Sequence, residues 1–511
     1  MDGIVVVAVI YGAQKRSCST RIFRFCGRYV RKNMASNRQL VSDFSAGRLS
    51  VEAHIRERLQ RIAKHNSKIN AVVTNNPQAI AQAQAADHLR ESGATLPPLF
   101  GLPLTIKDLY ATAGLRTTAG FKPLAGYVPQ EDAVLVARAQ TAGAVLLGKT
   151  NTAELGSDIQ CKNAVFGTTV NPWNSGYTSG GSSGGSAAAI AAGFSALDIG
   201  SDLAGSIRLP AAFCGVAGLK VTENRLPRTG HVPQLPQAER SVWHLLSPGL
   251  LARQVDDLRL GLQALLTARP NEMPTDSTVA PVSWQAAKHK GFLKIAYWDD
   301  FNGLPLCPRT QAALRQSIEK LESAGITVQR IRPEDFDFSD AWAAYGEIMG
   351  AEVGLGLPAW QRMAFAASAH LLPPSRFMMK SVGRGMRLNF KRYNHALNVR
   401  ERLIAVLEQF LQQWDAWLCP VAPTTAFPHC KPQTRIAIGA ASLPYLEATT
   451  SLVTPFSLTG SPVVSLPAGI FDGLPVGLQL VGRRWQDEAL LDCAEAVECI
   501  VQGFQAPELP K

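Results

Sequence analysis

The chain has 511 residues, 46% of them apolar and 18% charged, a composition that excludes a disordered chain and allows a sizeable buried core. Its net charge of +11 is uneven: Lys15, Arg16, Arg21, Arg24, Arg28, Arg31 and Lys32 against Asp2 leave +6 on residues 1–33 and +5 on the remaining 478. A weakly basic body with 7% aromatics and no basic run beside aromatic platforms excludes nucleic-acid binding as a reading of the charge.

The apolar run near the start, Ile4 to Ile10, is far shorter than the roughly 20 residues of a membrane span. A secretory signal places positive charge before its apolar stretch, whereas here Asp2 precedes it and the cations follow. The segment reads either as a mitochondrial presequence or as an overlong gene start, and we favour the second, because "MASNRQLVSDFSAGRLS" from Met34 opens like an ordinary domain. The expected organisation is a basic extension over 1–33 and one domain over 34–511. Nine scattered cysteines without a CxxC pair or a His-rich segment read as reduced thiols in a cytoplasmic compartment, with no metal site and no cofactor.

In chain order, Leu59, Ile62 and Ala63 recur at helical spacing, and Asn76 is a candidate cap for an alanine-rich helix to about Leu89. Strand-like and helical stretches then alternate. "LPLTI" at 102–106, "AVLLG" at 144–148 and "SALDIG" at 195–200 read as strands, with "DAVLVARAQTAG" as a helix between the first two. Further on come "LKIAYW", a helix near 310–323, "ITVQRI", a helix-rich segment from about 340 to 413, the strands "PVVSLPAG" and "PVGLQLVG", and a closing helix from Asp487. Such alternation argues an α/β fold around a central sheet. The one weak boundary is the Pro/Ala-rich stretch at 269–281.

Residues 179–186, "SGGSSGGS", are four serines and four glycines. A flexible linker would have polar flanks, but "SAAAIAAGF" follows, a strong helix former. A phosphate loop needs a lysine after its glycines; the run that fits that formula is "GAVLLGKT", Gly143 to Thr150. Its centre has the composition of a buried strand and not of an open loop, so Lys149 reads as a strand-end residue. Gly181 to Gly185 also spells G-x-S-x-G around Ser183, yet a nucleophile elbow is entered by a hydrophobic strand, and "NPWNSGYTSG" is polar and turn-rich.

Geometry offers another reading. A helix from about Gly184 to Phe194 advances roughly 16 Å, and an antiparallel strand of about five residues returns a similar distance. The return brings "SDLAGSIRLPA", with Ser206 after Ala204 and Gly205, beside the first Gly-Ser turn. Two serines need a base, and none of the nine histidines stands in a comparable glycine-rich or strand-end context. Lys107 ends the strand "LPLTIK", with Leu102, Leu104 and Ile106 on one face and Thr105 and Lys107 on the other. Moving a lysine from about 10.4 to near 7 takes on the order of 4 kcal/mol, which burial must supply.

Together, "GLPLTIKD", "GGSSGGSAAA" and "GSDLAGSIRLPAAFCGVAGLK" resemble the amidase-signature family, whose members hydrolyse carboxamides with a Ser-Ser-Lys triad. The resemblance extends to "NPWN", "LSPGLLARQVDDLRL" and "SLTGSPVVSLPAG", and spans roughly 40–505. It implies one large α/β catalytic domain with a mixed, twisted sheet flanked by helices. It also implies Ser206 as acylated nucleophile, Ser182 as bridging serine after a cis peptide from Gly181, and Lys107 as base. The backbone N–H groups of Leu203, Ala204, Gly205 and Ser206 would form the oxyanion hole. Ala204 replaces a glycine common in the family. Asp198 stands where a smaller residue is often found and reads as a structural carboxylate paired with an arginine. Asp202 and Arg208 read as scaffold holding the turn.

The expected reaction is hydrolysis of a small-molecule amide by a chain that needs no cofactor, metal, nucleic acid or membrane span and whose one protein partner would be a second copy in a homodimer. One alternative is the glutamine-hydrolysing subunit of a tRNA-dependent amidotransferase, which carries an Asp at the place that falls on Thr450 here; its absence favours a free-standing amidase. The other is a non-catalytic scaffold, against which all three triad positions are present. Trp342, Tyr345, Met349, Trp360 and Phe377 are the expected pocket walls.

Overall fold

The computed structural model describes residues 36–231, 241–267, 279, 284 and 293–509. The basic extension 1–33 and nearly all of 269–281 thus lie outside the described residues. Eleven strands form one sheet: β1 (Val72–Asn75), β2 (Pro103–Lys107), β3 (Val145–Thr150), β4 (Leu197–Asp202), β5 (Ala217–Lys220), β6 (Ser247–Ala252), β7 (Lys294–Tyr297), β8 (Thr327–Arg330), β9 (Ala416–Pro420), β10 (Val463–Phe471) and β11 (Leu474–Val481). Their spatial order is β1-β3-β2-β4-β6-β5-β10-β11-β9-β7-β8. β3, β2 and β4 are parallel, as are β9, β7 and β8. The centre from β4 through β6, β5, β10 and β11 to β9 is antiparallel. The sheet is therefore mixed, as the family resemblance implies.

Strand alternation sorts side chains between the two faces. Leu104 and Ile106 of β2 enter a large apolar cluster with Leu146, Leu219, Leu250, Leu258 and Leu262. Thr105 and Lys107 turn to the other face, where the helix Gly184–Ala191 lies with every residue buried. No side chain on that helix is larger than isoleucine, so it sits close to the strands; Ala188 and Ala189 continue into a second cluster with Phe44, Ile55, Ile62 and Phe194. The helix Val51–Ile69 is capped by Ser50, whose hydroxyl accepts from Ala53 N. The next helix, Ala79–Glu91, has Gln78 and not Asn76 at its N-cap, with no side-chain cap bond; Asn76 instead accepts the Gln78 N–H at 3.0 Å.

The expected strands and helices appear with shifts of one to a few residues, and the segment after Asp337 is four helices, Phe338–Leu355, Ala359–His370, Phe377–Gly385 and Phe390–Phe410. β6 escaped the pattern because "SPGLLA" contains Pro248, a residue that ordinarily argues against an interior strand; it nonetheless pairs with β4 and β5. "GAVLLGKT" is β3 and its lead-in, so Lys149 is a strand residue. Among the described residues no helix is long and apolar enough to cross a membrane. The parallel run of β2 and β4 brings their C-terminal ends, Lys107 and Asp202, to the same edge of the sheet.

Candidate active site

Lys107 is fully buried at the end of β2. Its Nζ lies 2.7 Å from Ser182 Oγ, 3.3 Å from Ser201 Oγ and 3.5 Å from the Ser201 carbonyl. Burial strips water from the amine and lowers its pKa from the ordinary 10.5 to about 7, against the opposing pull of Cys161, Asp202 and Asp198. Neutral amine is thus abundant near pH 7.

Ser182 sits in the turn that enters the helix Gly184–Ala191, after a cis peptide from Gly181. Residue 181 must be glycine: a Cβ there would lie 2.6 Å from the Asp158 carbonyl oxygen and 2.6 Å from the Ile159 carbonyl carbon. The helix and β4 form the expected return, because Ser183 N donates to Ser206 O at 3.1 Å and ties the two serine turns together. Ser182 is 1% exposed and Ser206 6%, so Ser206 is the more accessible residue.

The turn before Ser206 is organised by Asp202. One carboxylate oxygen accepts the Gly205 N–H at 2.8 Å, and the other accepts those of Ile207 at 3.1 Å and Arg208 at 3.3 Å. The Arg208 guanidinium grips both oxygens, at 3.0 and 2.8 Å, and reaches Val453 O and Ser457 Oγ. Gly205 has φ +97°, and a Cβ would meet Val453 at 2.7 Å. Of the four N–H groups expected to form the oxyanion hole, that of Gly205 is bonded to Asp202, whereas those of Leu203, Ala204 and Ser206 have no backbone acceptor among the described residues. The scaffold role expected of Asp202 and Arg208 matches this pair.

The arginine expected beside Asp198 is not its partner. Thr105 and Thr150 donate to the same carboxylate oxygen at 2.7 and 3.0 Å. The other oxygen has no hydrogen-bond partner, and burial raises the group to about 7. Lys149, also buried, donates to Tyr110 O, Thr112 Oγ1 and Thr117 Oγ1 and braces that loop.

Leu203 and Ala204, with Met349 and Phe377, pack against a cluster that contains Trp342 and Tyr345, and Tyr345 OH donates to Leu203 O at 3.3 Å. Trp360 does not join this cluster; it is 71% exposed on the helix Ala359–His370. A cavity of about 540 Å³ lined by Tyr177, Thr425, Phe427 and Arg435 contains none of the serine–lysine cluster. Among the described residues no group of three or more His, Cys, Asp or Glu side chains could hold a metal ion.

One residue passed over in the sequence stands beside the cluster. His231 Nε2 is 2.9 Å from Ser201 Oγ. Burial and then the charge of Lys107 lower its pKa to about 3, so the ring is neutral. Nothing local marks it; the isolated bridge between Tyr110 and His231 brings it within reach across 121 residues of chain.

Residues 53–491 match the family model described as Amidase. The chain is 33% identical over 488 residues to a glutamyl-tRNA(Gln) amidotransferase subunit of Exiguobacterium sibiricum, covering 91% of this chain and 96% of that one. A solved structure titled "Crystal structure of amidase" shares 28% identity with a TM-score of 0.76, covering 92% of this chain and 100% of that one. A 6-aminohexanoate cyclic dimer hydrolase shares 26% with a TM-score of 0.72, covering 93% and 98%. A family match across most of the sequence, on a single α/β domain whose mixed sheet gathers two glycine-bracketed serines and a buried lysine, places this chain in the amidase-signature family.

Proposed function

We propose that the protein hydrolyses a small-molecule carboxylic amide to a carboxylate and an amine or ammonia, through an acyl-enzyme on Ser206. The observation that carries this reading is the fully buried Lys107 amine 2.7 Å from Ser182 Oγ, a neutral base near pH 7 with a serine hydroxyl in reach. Lys107 takes the Ser182 proton as Ser182 takes that of Ser206, and Ser206 Oγ attacks the amide carbonyl. The N–H groups of Leu203, Ala204 and Ser206 receive the oxyanion, each donor being worth about 3 kcal/mol of barrier. The proton then returns from Lys107 through Ser182 to the leaving nitrogen, the C–N bond breaks, and water repeats the cycle on the ester. Trp342, Tyr345, Met349 and Phe377 would give the acyl pocket an apolar wall suited to aryl or aliphatic amides.

The amidotransferase relatives favour a second reading, a glutamine-hydrolysing subunit. Thr450 weighs against it: the position carries no carboxylate, and its hydroxyl donates back to Leu446 O at 2.8 Å. The free thiols of Cys161, Cys214, Cys307, Cys419 and Cys493, all buried, suit a reducing, cytoplasmic setting. Mass mapping of a fluorophosphonate adduct tests the nucleophile, with label on Ser206 expected and label elsewhere or none refuting it. Hydrolysis of aryl and aliphatic amides by the purified chain supports the free-standing enzyme; activity on glutamine alone, with a co-purifying partner chain, supports the second reading. Sedimentation of the same sample tests the homodimer.

A further inference from the structure

The relay of Lys107, Ser182 and Ser206 leaves His231 without a part. A neutral lysine amine has two N–H donors and one lone pair. For Lys107 to act as base that lone pair must face Ser182, so both N–H groups need other acceptors. Ser201 offers two, its carbonyl at 3.5 Å and its hydroxyl at 3.3 Å. A serine hydroxyl is an ambiguous neighbour, because it donates as readily as it accepts. If Ser201 donated to the amine, it would occupy the lone pair that Ser182 needs.

An imidazole protonated on Nδ1 removes the ambiguity. Its Nε2 lies 2.9 Å from Ser201 Oγ. With the proton on Nδ1, Nε2 accepts from Ser201, and the Ser201 lone pairs are left for Lys107. The ring is held for this by more than one contact. It meets the Tyr110 ring edge-on at 4.8 Å, its backbone pairs with that of Tyr110, and Tyr110 OH donates to Gly200 O at 2.8 Å, next to Ser201. The groups acting on Lys107 are then Cys161, Asp198 and Asp202 together with this neutral ring.

We propose that His231 is a positioning residue: by accepting the Ser201 hydroxyl proton it turns Ser201 into an acceptor for Lys107 and keeps the amine's lone pair aimed at Ser182. The proposal rests on Lys107 being the base for Ser206. It differs from a packing role in one respect. The ring is needed for the direction of a proton and not for its volume.

The test compares the full-length wild type with His231→Gln, His231→Leu, Ser201→Ala and the His231→Leu/Ser201→Ala double variant. The second-order rate of fluorophosphonate labelling is followed from about pH 5.5 to 9.5, with circular dichroism melts to confirm folding. His231→Leu is expected to label about tenfold more slowly and to shift the acid limb of the profile; His231→Gln, whose amide oxygen can accept the same proton, should stay within about threefold of wild type. The double variant should be no slower than Ser201→Ala, because both changes cut one link. A folded His231→Leu variant with wild-type rate and limb overturns the proposal. So does a Gln variant as slow as Leu, or a double variant whose loss is the product of the two single losses. Should the Leu variant not fold, a Ser201→Ala variant with unchanged rate and acid limb overturns it as well. A wild-type chain that takes no label refutes the nucleophile assignment, and this inference falls with it.

Discussion

Replacing Lys107 with methionine should abolish the chemistry and at the same time make the folded protein more stable near neutrality. Burial lowers the amine from 10.5 to about 7. Between those values the unfolded chain holds one proton more than the folded chain, so stability rises with pH by about 1.4 kcal/mol per unit. The penalty is greatest below pH 7, where it totals on the order of 5 kcal/mol, and it vanishes above about pH 10.5. Methionine has similar length and no proton to lose. It also forfeits the hydrogen bonds to Ser182 and Ser201, roughly 2 kcal/mol together. The net gain at pH 6–7 is therefore about 3 kcal/mol; with an unfolding entropy of roughly 1 kcal/mol/K for a chain of this length, Tm should rise by about 3 °C. Melts at several pH values measure this directly. The gap over wild type should shrink as the pH rises, and the variant should label with a fluorophosphonate about 10²–10⁴-fold more slowly. Wild-type labelling should itself climb as the pH passes about 7. A variant that is less stable at pH 6–7, or whose gap ignores pH, would refute the claim that Lys107 is held uncharged by burial; surviving labelling would refute its role as base.

Other substitutions probe the rest of the cluster. Ser206→Ala should take no label at all, and Ser182→Ala should label roughly 10²–10⁴-fold more slowly; mapped adducts decide both. Burial works against ionisation of Asp202, yet the Arg208 guanidinium holds its carboxyl well below the usual carboxylate range. Asp202→Asn strands that buried guanidinium and should destabilise the fold by about 3–5 kcal/mol. The loss should be complete above about pH 4 and should close as the pH falls below it, because the unfolded wild-type chain then takes up a proton at residue 202 that the folded carboxylate resists; a constant gap in acid melts would contradict this. Gly181→Ala drives a Cβ to 2.6 Å from the Asp158 carbonyl oxygen and should slow labelling about 10²-fold by displacing Ser182. Near-wild-type labelling of that variant would mean the turn has slack the contacts do not show.

Many of the strands and helices, and the nearness of Lys107 to Ser182, were legible in the sequence because each rests on a local pattern, whereas β1, β5 and β9 were not read from it. Period-two alternation in "LPLTIK" put Lys107 on the face away from the leucines. A helix of small residues followed by a short strand implied that Ser182 and Ser206 meet. β6 was not legible, since Pro248 breaks its pattern while pairing on both sides overrides local preference. Of the residues expected as pocket walls, Trp342 and Tyr345 are buried, but Trp360 sits on a helix turned outward.

By itself the sequence determined the small-residue turns, the periodicity that orients Lys107 and the family they belong to, all properties of neighbours along the chain. Only the tertiary structure decided which groups share the lysine's water-free surroundings. It gave Asp198 threonine hydroxyls in place of an arginine, spent the Gly205 N–H on Asp202, and brought His231 to Ser201. The physical reason is that a pKa or a proton's direction depends on every group within a few ångströms, and those groups come from segments far apart in the chain.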